Sequence, residues 1–354
     1  MSETADTSEY EVVVVGGGPA GLQTALYTTR LGHDTAVVDR GGGRAAMMLD
    51  THNVIGVTEE TSGNEFLATA REQVESYGGD VVRDFVTEAD ETDDGRFRLV
   101  GNERTYLAER VVLGVGFSDE RPEPPLPRTG KGLHYCLHCD AYMFIDRPVY
   151  VMGTGEAAAH VAMIMLNFTD DVDILLRGAE PEWSAETDEQ LRGHPIGIVE
   201  SEITGMQKSD DGWLEAFEFE DGTVRNYRGG FPMYGSDYNT DLPEQLGCEL
   251  NDDGTVAVGE SGETTVDGVY AVGDLTPGHN QIPAAMGEGV QAGIDIHYGL
   301  REFPRDLESI RADGPVDAGA VPGIGERVHA AADDFEEARA PPIEQPEAES
   351  PADD

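Results

Sequence analysis

The chain has 354 residues, enough for two domains with separate cores, because single cores stop growing near ~250–300 residues. Seventy Asp and Glu stand against 23 Lys and Arg, a formal net charge of −47 with a pI near 4.2, and no basic stripe is left to neutralise phosphates, which excludes nucleic-acid binding. Three cysteines exclude a disulfide scaffold, and no stretch reaches the ~18–20 apolar residues of a membrane span.

The acidic residues fall in almost every segment. Such a surface repels itself in dilute buffer and is screened when molar salt shortens the Debye length to about 3 Å. This reads as a protein of a salt-loaded, haloarchaeal type of cytoplasm. The rival reading, an acidic patch for one basic partner, would gather the charge in one block. The opening MSETADTSEYE is polar and acidic, unlike a leader, so the expected location is the cytoplasm.

Val12–Val15 opens the fold as a short apolar run, the pattern of a strand buried on both faces. Gly16, Gly18 and Gly21 follow as G-x-G-x-x-G, then a helix in LQTALYTTRLG, then a strand TAVVD ending in Asp39. A β-α-β unit with an acid about 20 residues past the turn is a dinucleotide fingerprint. Gly16 allows the turn, Gly18 lets backbone approach a pyrophosphate, and Gly21 lets the helix pack close. The helix N-terminus faces phosphate with partial positive charge, and Asp39 can accept from ribose hydroxyls. A glycine-rich turn without a ligand leaves the placement of Asp39 unexplained. His52, in the loop THNVIG, is either near a bound cofactor or an exposed loop histidine; both are open.

HYCLHCDAY, His134 to Tyr142, holds Cys136 and Cys139 at C-x-x-C spacing. A thiol attacks as thiolate, and free cysteine has a pKa near ~8.5. A protonated His138 or His134 beside the pair would stabilise the thiolate, and Asp140 can carry the proton. Exchange needs one accessible and one resolving sulfur, and the spacing provides both. Zinc needs four ligands. Cys136, Cys139, His134 and His138 can be nominated, but no second pair at finger spacing exists, so no metal site is expected. An inert disulfide is the third reading, disfavoured in a reducing compartment.

A second unit starts at RPVYVMGTGEAAAHVAMIMLNF. Val149–Met152 reads as a strand, Gly153, Gly155 and Ala158 give G-x-G-x-x-A, and VDILLRG is the paired strand. Further on, Cys248 in EQLGCEL reads as a core thiol. GVYAVGD is a strand ending in Gly273–Asp274, with Asp274 placed to reach a ribityl chain or pyrophosphate. IPAAMGEGVQAGIDIHYGL is a helix rich in small residues, preceded by His279 and Gln281. From about Ala312 the chain is rich in Pro, Ala, Asp and Glu and too poor in apolar residues for a core; at most GERVHAAADDFEEARA forms a marginal helix.

These pieces, in this order and spacing from Tyr10 to Leu300, resemble the low-molecular-weight thioredoxin reductase family. The pieces are VVVVGGGPAGLQTALYTTRLG, THNVIG, RVVLGVG, CLHCDAY, VMGTGEAAA, LGCEL and VDGVYAVGDLTPGHNQIPAAMGEGVQAG. The resemblance implies an α/β fold of two Rossmann-like nucleotide-binding domains of three-layer ββα type, the second inserted into the first. An FAD domain would span 8–122 and 246–312, a pyridine-nucleotide-type domain 123–245, and residues 1–7 and 313–354 would be largely disordered. FAD is the implied cofactor, bound through Gly16, Gly18, Gly21, Asp39, Gly273, Asp274 and Gln281, with Gly153 and Gly155 in the second nucleotide turn. Carried over, Cys139 is the thiol nearer the flavin, Cys136 exchanges with substrate, and Asp140 is the proton donor and acceptor. The implied partner is a thioredoxin- or glutaredoxin-like protein or a low-molecular-weight thiol, and the implied assembly a homodimer.

Two departures matter. Where the family grips the NADPH 2′-phosphate with basic residues, this chain reads LLRGAEPEW, with Arg177 beside Glu180 and Glu182. NAD(P)H is therefore an open question. Other segments are similar to a sister branch of oxygen-using flavin dithiol oxidases, although that branch has His where this chain has Asp140. A flavoprotein redox sensor without turnover is a reading from another class, and the intact thiol pair argues against it.

Overall fold

The computed structural model describes residues 7–321 and 323–339. The first sheet is built from β1 (Thr7–Val15), β2 (Thr35–Asp39), β3 (Asp80–Arg83), β4 (Val86–Glu91), β5 (Phe97–Gly101) and β6 (Thr105–Leu113). Helices α1 (Pro19–Arg30) and α2 (Gly63–Ser76) cross between β1 and β3. The strand order is β3-β2-β1-β6-β5-β4. β1, β2, β3 and β6 run parallel, whereas β4 and β5 form an antiparallel flank. Alternate residues of β1 enter two cores. Val12 and Val14 pack with Ala20, Leu22 and Ala25 of α1, and Val13 and Val15 pack with Phe97 and Leu99. Burying a valine contributes roughly 1.5–3 kcal/mol, so a run with both faces covered selects this central strand.

The chain leaves this sheet after β6 and short β7 (Phe117–Asp119). It then forms α3 (Leu137–Asp140), β8 (Val149–Met152), α4 (Glu156–Met165), β9 (Val172–Leu175), α5 (Ala185–Arg192) and β10 (Ile196–Val199). Next come β11 (Ile203–Lys208), β12 (Leu214–Phe219), β13 (Val224–Asn226), β14 (Gly229–Pro232), β15 (Ser236–Tyr238) and α6 (Asp241–Leu246). β10-β9-β8-β14 is a parallel sheet and β11-β12-β13 an antiparallel one. β15 returns antiparallel to β7, so the strands leading out and back form one ribbon. β16 (Val269–Ala271) then pairs parallel with β6, and α7 (Ile282–Leu300) packs beside α1. The architecture is α/β with two Rossmann-like domains, the second interrupting the first.

Small residues on α7 serve this packing. A Cβ on Gly289 would lie 2.4 Å from the Ala20 carbonyl oxygen, so only glycine lets α7 come this close to the start of α1.

In the C-terminal segment a helix falls within GERVHAAADDFEEARA, the stretch expected to form a marginal one. α8 (Leu307–Asp313) and α9 (Glu326–Arg339) are formed. Arg327 at the start of α9 bonds Asp80 at 2.7 Å and Asp34 at 3.4 Å, and Ala331 is buried. Composition argued against a core of its own, but this helix borrows a surface from the turn before β2 and the start of β3. The first six residues and 340–354, expected to lack structure, lie outside the described residues.

Candidate functional site

The turn after β1 is shaped by steric limits. Gly16 has φ +107°, and a Cβ there would sit 2.4 Å from the Gly114 carbonyl oxygen; only glycine adopts this turn against the neighbouring strand end. Gly18 is the N-cap of α1, with no side chain capping the helix, so the first amides of α1 are left for another acceptor. Asp39, at the end of β2, is largely buried and bonded to Arg71 at 3.2 Å.

These groups line one end of a cavity of about 1430 Å³. The volume exceeds the ~300–1,000 Å³ common for small-ligand sites and suits an extended dinucleotide. Gly16, Gly18, Asp39, Arg44, His52, Cys136, Cys139, Asp140, Gly273, Asp274 and Gln281 all line it. The nucleotide turn and the thiol pair, some 120 residues apart in sequence, therefore open into the same space. Buried side-chain polar atoms without a partner include His52 Nδ1, His134 Nε2 and the Tyr135 hydroxyl, and all three residues line this cavity. Buried polar groups are normally paired, so the lining is incomplete without a polar ligand. An open Gly18, free helix amides and a carboxylate at the strand end fit FAD.

Sequence reading missed Arg44. Its Nε and Nη2 donate to Asp119 at 2.8 and 3.2 Å, its Nη1 donates to Asp274 at 3.2 Å, and its guanidinium lies 4.4 Å from the centre of the Phe117 ring. Burial pushes the Asp274 carboxyl above its ordinary pKa, and Arg44 opposes the rise. Glu288 of α7 supports the same strand end, accepting from the Gly273 amide at 2.7 Å and the Thr276 hydroxyl at 3.0 Å. Burial pushes its carboxyl up as well. The available signal for Arg44 was its place after Gly41–Gly43 in a chain poor in cations.

Cys136 and Cys139 are joined as a disulfide at the start of α3. The Cys139 amide donates to Cys136 Sγ at 3.1 Å, and Gln281 Nε2 donates to the same sulfur at 3.4 Å. Gln281 Oε1 accepts from Asn53 Nδ2 at 2.9 Å and lies 3.7 Å from Cys139 Sγ. Asn53 thus fixes which way the Gln281 amide faces. Two donors converge on Cys136, while Cys139 faces an acceptor. On reduction these two N–H groups would stabilise negative charge on Cys136 Sγ.

Asp140 also lines the cavity, and its Oδ2 bonds His134 Nδ1 at 2.9 Å. His134 is only 3% exposed, packed against Phe144, Phe231 and Trp213. Of the two histidines considered beside the thiol pair, His134 thus bonds the Asp140 carboxylate. His138 is exposed and outside the cavity lining. His279 is exposed too, and His52 faces the cavity. Cys248 sits in the first domain's core with its thiol pKa raised by burial.

The second nucleotide-type turn has the expected course: β8, Gly153 at φ +141°, Gly155 as N-cap of α4, then β9. It lies outside the large cavity. Arg177 does not pair with Glu180 or Glu182. It donates to Glu202 Oε1 at 2.9 Å and to the Glu123 carbonyl, and its side chain is 9% exposed.

The sequence profile of the pyridine nucleotide-disulphide oxidoreductases matches residues 10–289. The chain belongs to this family. It is similar to a thioredoxin reductase of Peptoclostridium litorale, 29% identical over 317 residues that cover 83% of this chain and 98% of the relative. It is also similar to an alkyl hydroperoxide reductase component of Staphylococcus epidermidis, 29% identical over 304 residues. That match covers 83% of this chain but 60% of the longer relative. Among solved structures, a putative thioredoxin reductase from Bacillus anthracis superposes with a TM-score of 0.75 at 27% identity, covering 82% of this chain and 98% of its own. With the site geometry, these matches make the protein an FAD-dependent disulfide oxidoreductase of thioredoxin-reductase type.

Proposed function

We propose that the chain moves two electrons between FAD and the Cys136–Cys139 pair, and between that pair and a thioredoxin- or glutaredoxin-like protein or a low-molecular-weight thiol. The carrying observation is that the disulfide and the β1–α1 nucleotide turn open into one cavity. In this reading Gly16, Gly18, Gly21, Asp39, Gly273, Asp274 and Gln281 hold FAD, which supplies a two-electron acceptor and donor. Arg44 ties Asp274 to Asp119 and joins that set.

Cys136 exchanges with the outside partner, supported by the two N–H donors on its sulfur. Cys139, whose sulfur faces the Gln281 oxygen, is the thiol nearer the flavin. Asp140 holds or releases the proton when the disulfide opens or closes, with His134 keeping the carboxylate in place. His138, exposed on α3, contributes at most to the outer approach of a partner. The boundaries 8–122, 123–245 and 246–312, a homodimeric assembly and a cytoplasmic location belong to the same proposal. Adaptation to high salt is supported by acidic residues spread over the whole sequence. The described residues contain no helix long and apolar enough to cross a membrane.

The test is anaerobic flavin spectroscopy on cysteine variants. Cys139→Ser should abolish flavin bleaching by dithiothreitol. Cys136→Ser should leave a long-wavelength band from the Cys139 thiolate against the flavin. Unimpaired bleaching in Cys139→Ser would exclude the pair as the electron path. A second reading, an oxygen-using dithiol oxidase, is favoured by the occupation of Arg177 by Glu202 and Glu123. Stoichiometric oxygen uptake with a dithiol would select it.

A further inference from the structure

The family's description implies a pyridine nucleotide on the second Rossmann-like unit, and the residues there do not fit one. A dinucleotide lays its pyrophosphate on the N-terminus of the helix after the glycine turn. Here the first residue of α4 is Glu156. Its two oxygens accept from the Ser184 amide at 2.5 Å and the Thr187 hydroxyl at 2.7 Å. These bonds, that from Thr187 first, hold its carboxyl below the usual range, so it is anionic at neutral pH. The helix end thus already carries a tethered negative group where phosphate would come.

The loop after β9 reinforces this. The Glu182 amide donates to the Thr154 carbonyl at 2.7 Å, which draws the acidic loop onto the glycine turn. Arg177, the one arginine between Tyr150 and Leu191, is spent inside the protein on Glu202 and Glu123. Nine acidic side chains share that stretch of sequence. The space itself is present, since a Cβ on Gly155 would meet nothing within 4 Å. What is wrong is the charge. A dinucleotide's phosphates would meet Glu156 and the loop of Glu182 with no arginine or lysine of this stretch left to answer them, and a 2′-phosphate would add roughly −1.5 to −2 more.

We propose that the second nucleotide-type unit of this chain carries no pyridine nucleotide, and that reducing equivalents reach FAD from a dithiol through Cys136 and Cys139. The proposal rests on the flavoprotein reading above. One sulfur of the dithiol attacks Cys136 Sγ, the Cys136–Cys139 bond breaks, and a mixed disulfide forms. The second donor sulfur displaces Cys136, and the donor leaves as a disulfide. The two cysteines then hold the electron pair and two protons. They pass these on and reclose, so the dithiol is oxidised by two electrons and FAD is reduced by two. Gly153 and Gly155 keep a structural role in this unit.

The experiment titrates the full-length flavin-loaded protein with NADPH, with NADH and with dithiothreitol, anaerobically and in molar KCl. Nicotinamide fluorescence reports binding and the flavin band reports reduction. Expected are no saturable nicotinamide binding below millimolar concentration, no bleaching by either nucleotide, and bleaching by dithiothreitol. The surface double variant Glu156→Gln, Glu182→Gln should bind NADH at least ~10-fold more tightly than the wild type, since two like charges near the phosphates are gone. Saturable micromolar binding of either nucleotide to the wild type would overturn the proposal. So would a double variant that binds no better, because charge would then not be what excludes the nucleotide. Failure of the flavoprotein reading is separately visible. A purified protein without a flavin band leaves the nicotinamide fluorescence to decide the second unit alone.

Discussion

Gly18→Val separates ligand binding from folding. Gly18 has φ −78° and ψ 178°, an extended conformation in which β-branched residues are at ease. A Cβ placed there meets no atom within 4 Å, so the side chain enters the cavity rather than the protein. The stability of the flavin-free protein should change by no more than about 0.5 kcal/mol, as for a surface substitution. Flavin binding should suffer twice. Crowding at the pyrophosphate costs roughly 1–3 kcal/mol. Displacing one charge-assisted bond from the α1 amides costs roughly 1.5–3 kcal/mol more. The sum, roughly 2.5–6 kcal/mol, weakens FAD by about two to four orders of magnitude. The control is Gly21→Ala, whose Cβ would lie 2.1 Å from the Gly16 carbonyl oxygen and 3.0 Å from Val14 Cγ1. It should lower the melting temperature of the flavin-free protein. The assay is the ratio of flavin to protein absorbance after purification, paired with thermal melts of both flavin-free variants. Gly18→Val protein that keeps its flavin at wild-type occupancy, or that melts as low as Gly21→Ala, refutes the reasoning.

Removing the Gln281 amide takes one donor from Cys136 Sγ. Gln281→Ala should therefore raise the apparent pKa of that thiol by ~0.4–1 unit, the equivalent of one hydrogen bond of about 0.5–1.5 kcal/mol. Asn53→Ala should move it the same way by less; pH-dependent alkylation of the reduced protein reads both, and an unmoved pKa in Gln281→Ala removes the amide from the mechanism. Asp274 and Glu288 both have carboxyls raised by burial, so between the ordinary and the raised values the folded protein binds more protons than the unfolded chain. Their contribution favours folding at acid pH and is lost as pH rises through the raised values. Urea midpoints for Glu288→Gln should accordingly depend less on pH than those of the wild type, and an unchanged slope counts against this. With a net charge of −47, lowering salt from molar to about 0.1 M lengthens the Debye length from about 3 to 10 Å. The melting temperature should fall over that range, and a constant value would contradict adaptation to salt.

What the sequence alone determined is local. The β1–α1–β2 unit was legible because its physics fits within about 30 residues: a buried valine run, a turn only glycine can make, a free helix end and an acid ending the next strand. The Cys136–Cys139 pair could be singled out for the same reason, since a disulfide at C-x-x-C spacing needs only neighbours along the chain. The tertiary structure decided what depends on distant partners. Arg44 meets Asp119 and Asp274 across separations of 75 and 230 residues. Asn53 reaches Gln281 across 228, and Gln281 reaches Cys136 across 145. No periodicity encodes such pairs, because they follow from which loops the sheets bring to one cavity. Arg177 shows the same limit from the other side. Its sequence neighbours Glu180 and Glu182 suggested its surroundings, but the fold turned it inward to Glu202 and the Glu123 carbonyl. In α9, composition allowed at most a marginal helix, and Arg327 found Asp34 and Asp80 on a surface that only the folded first domain supplies.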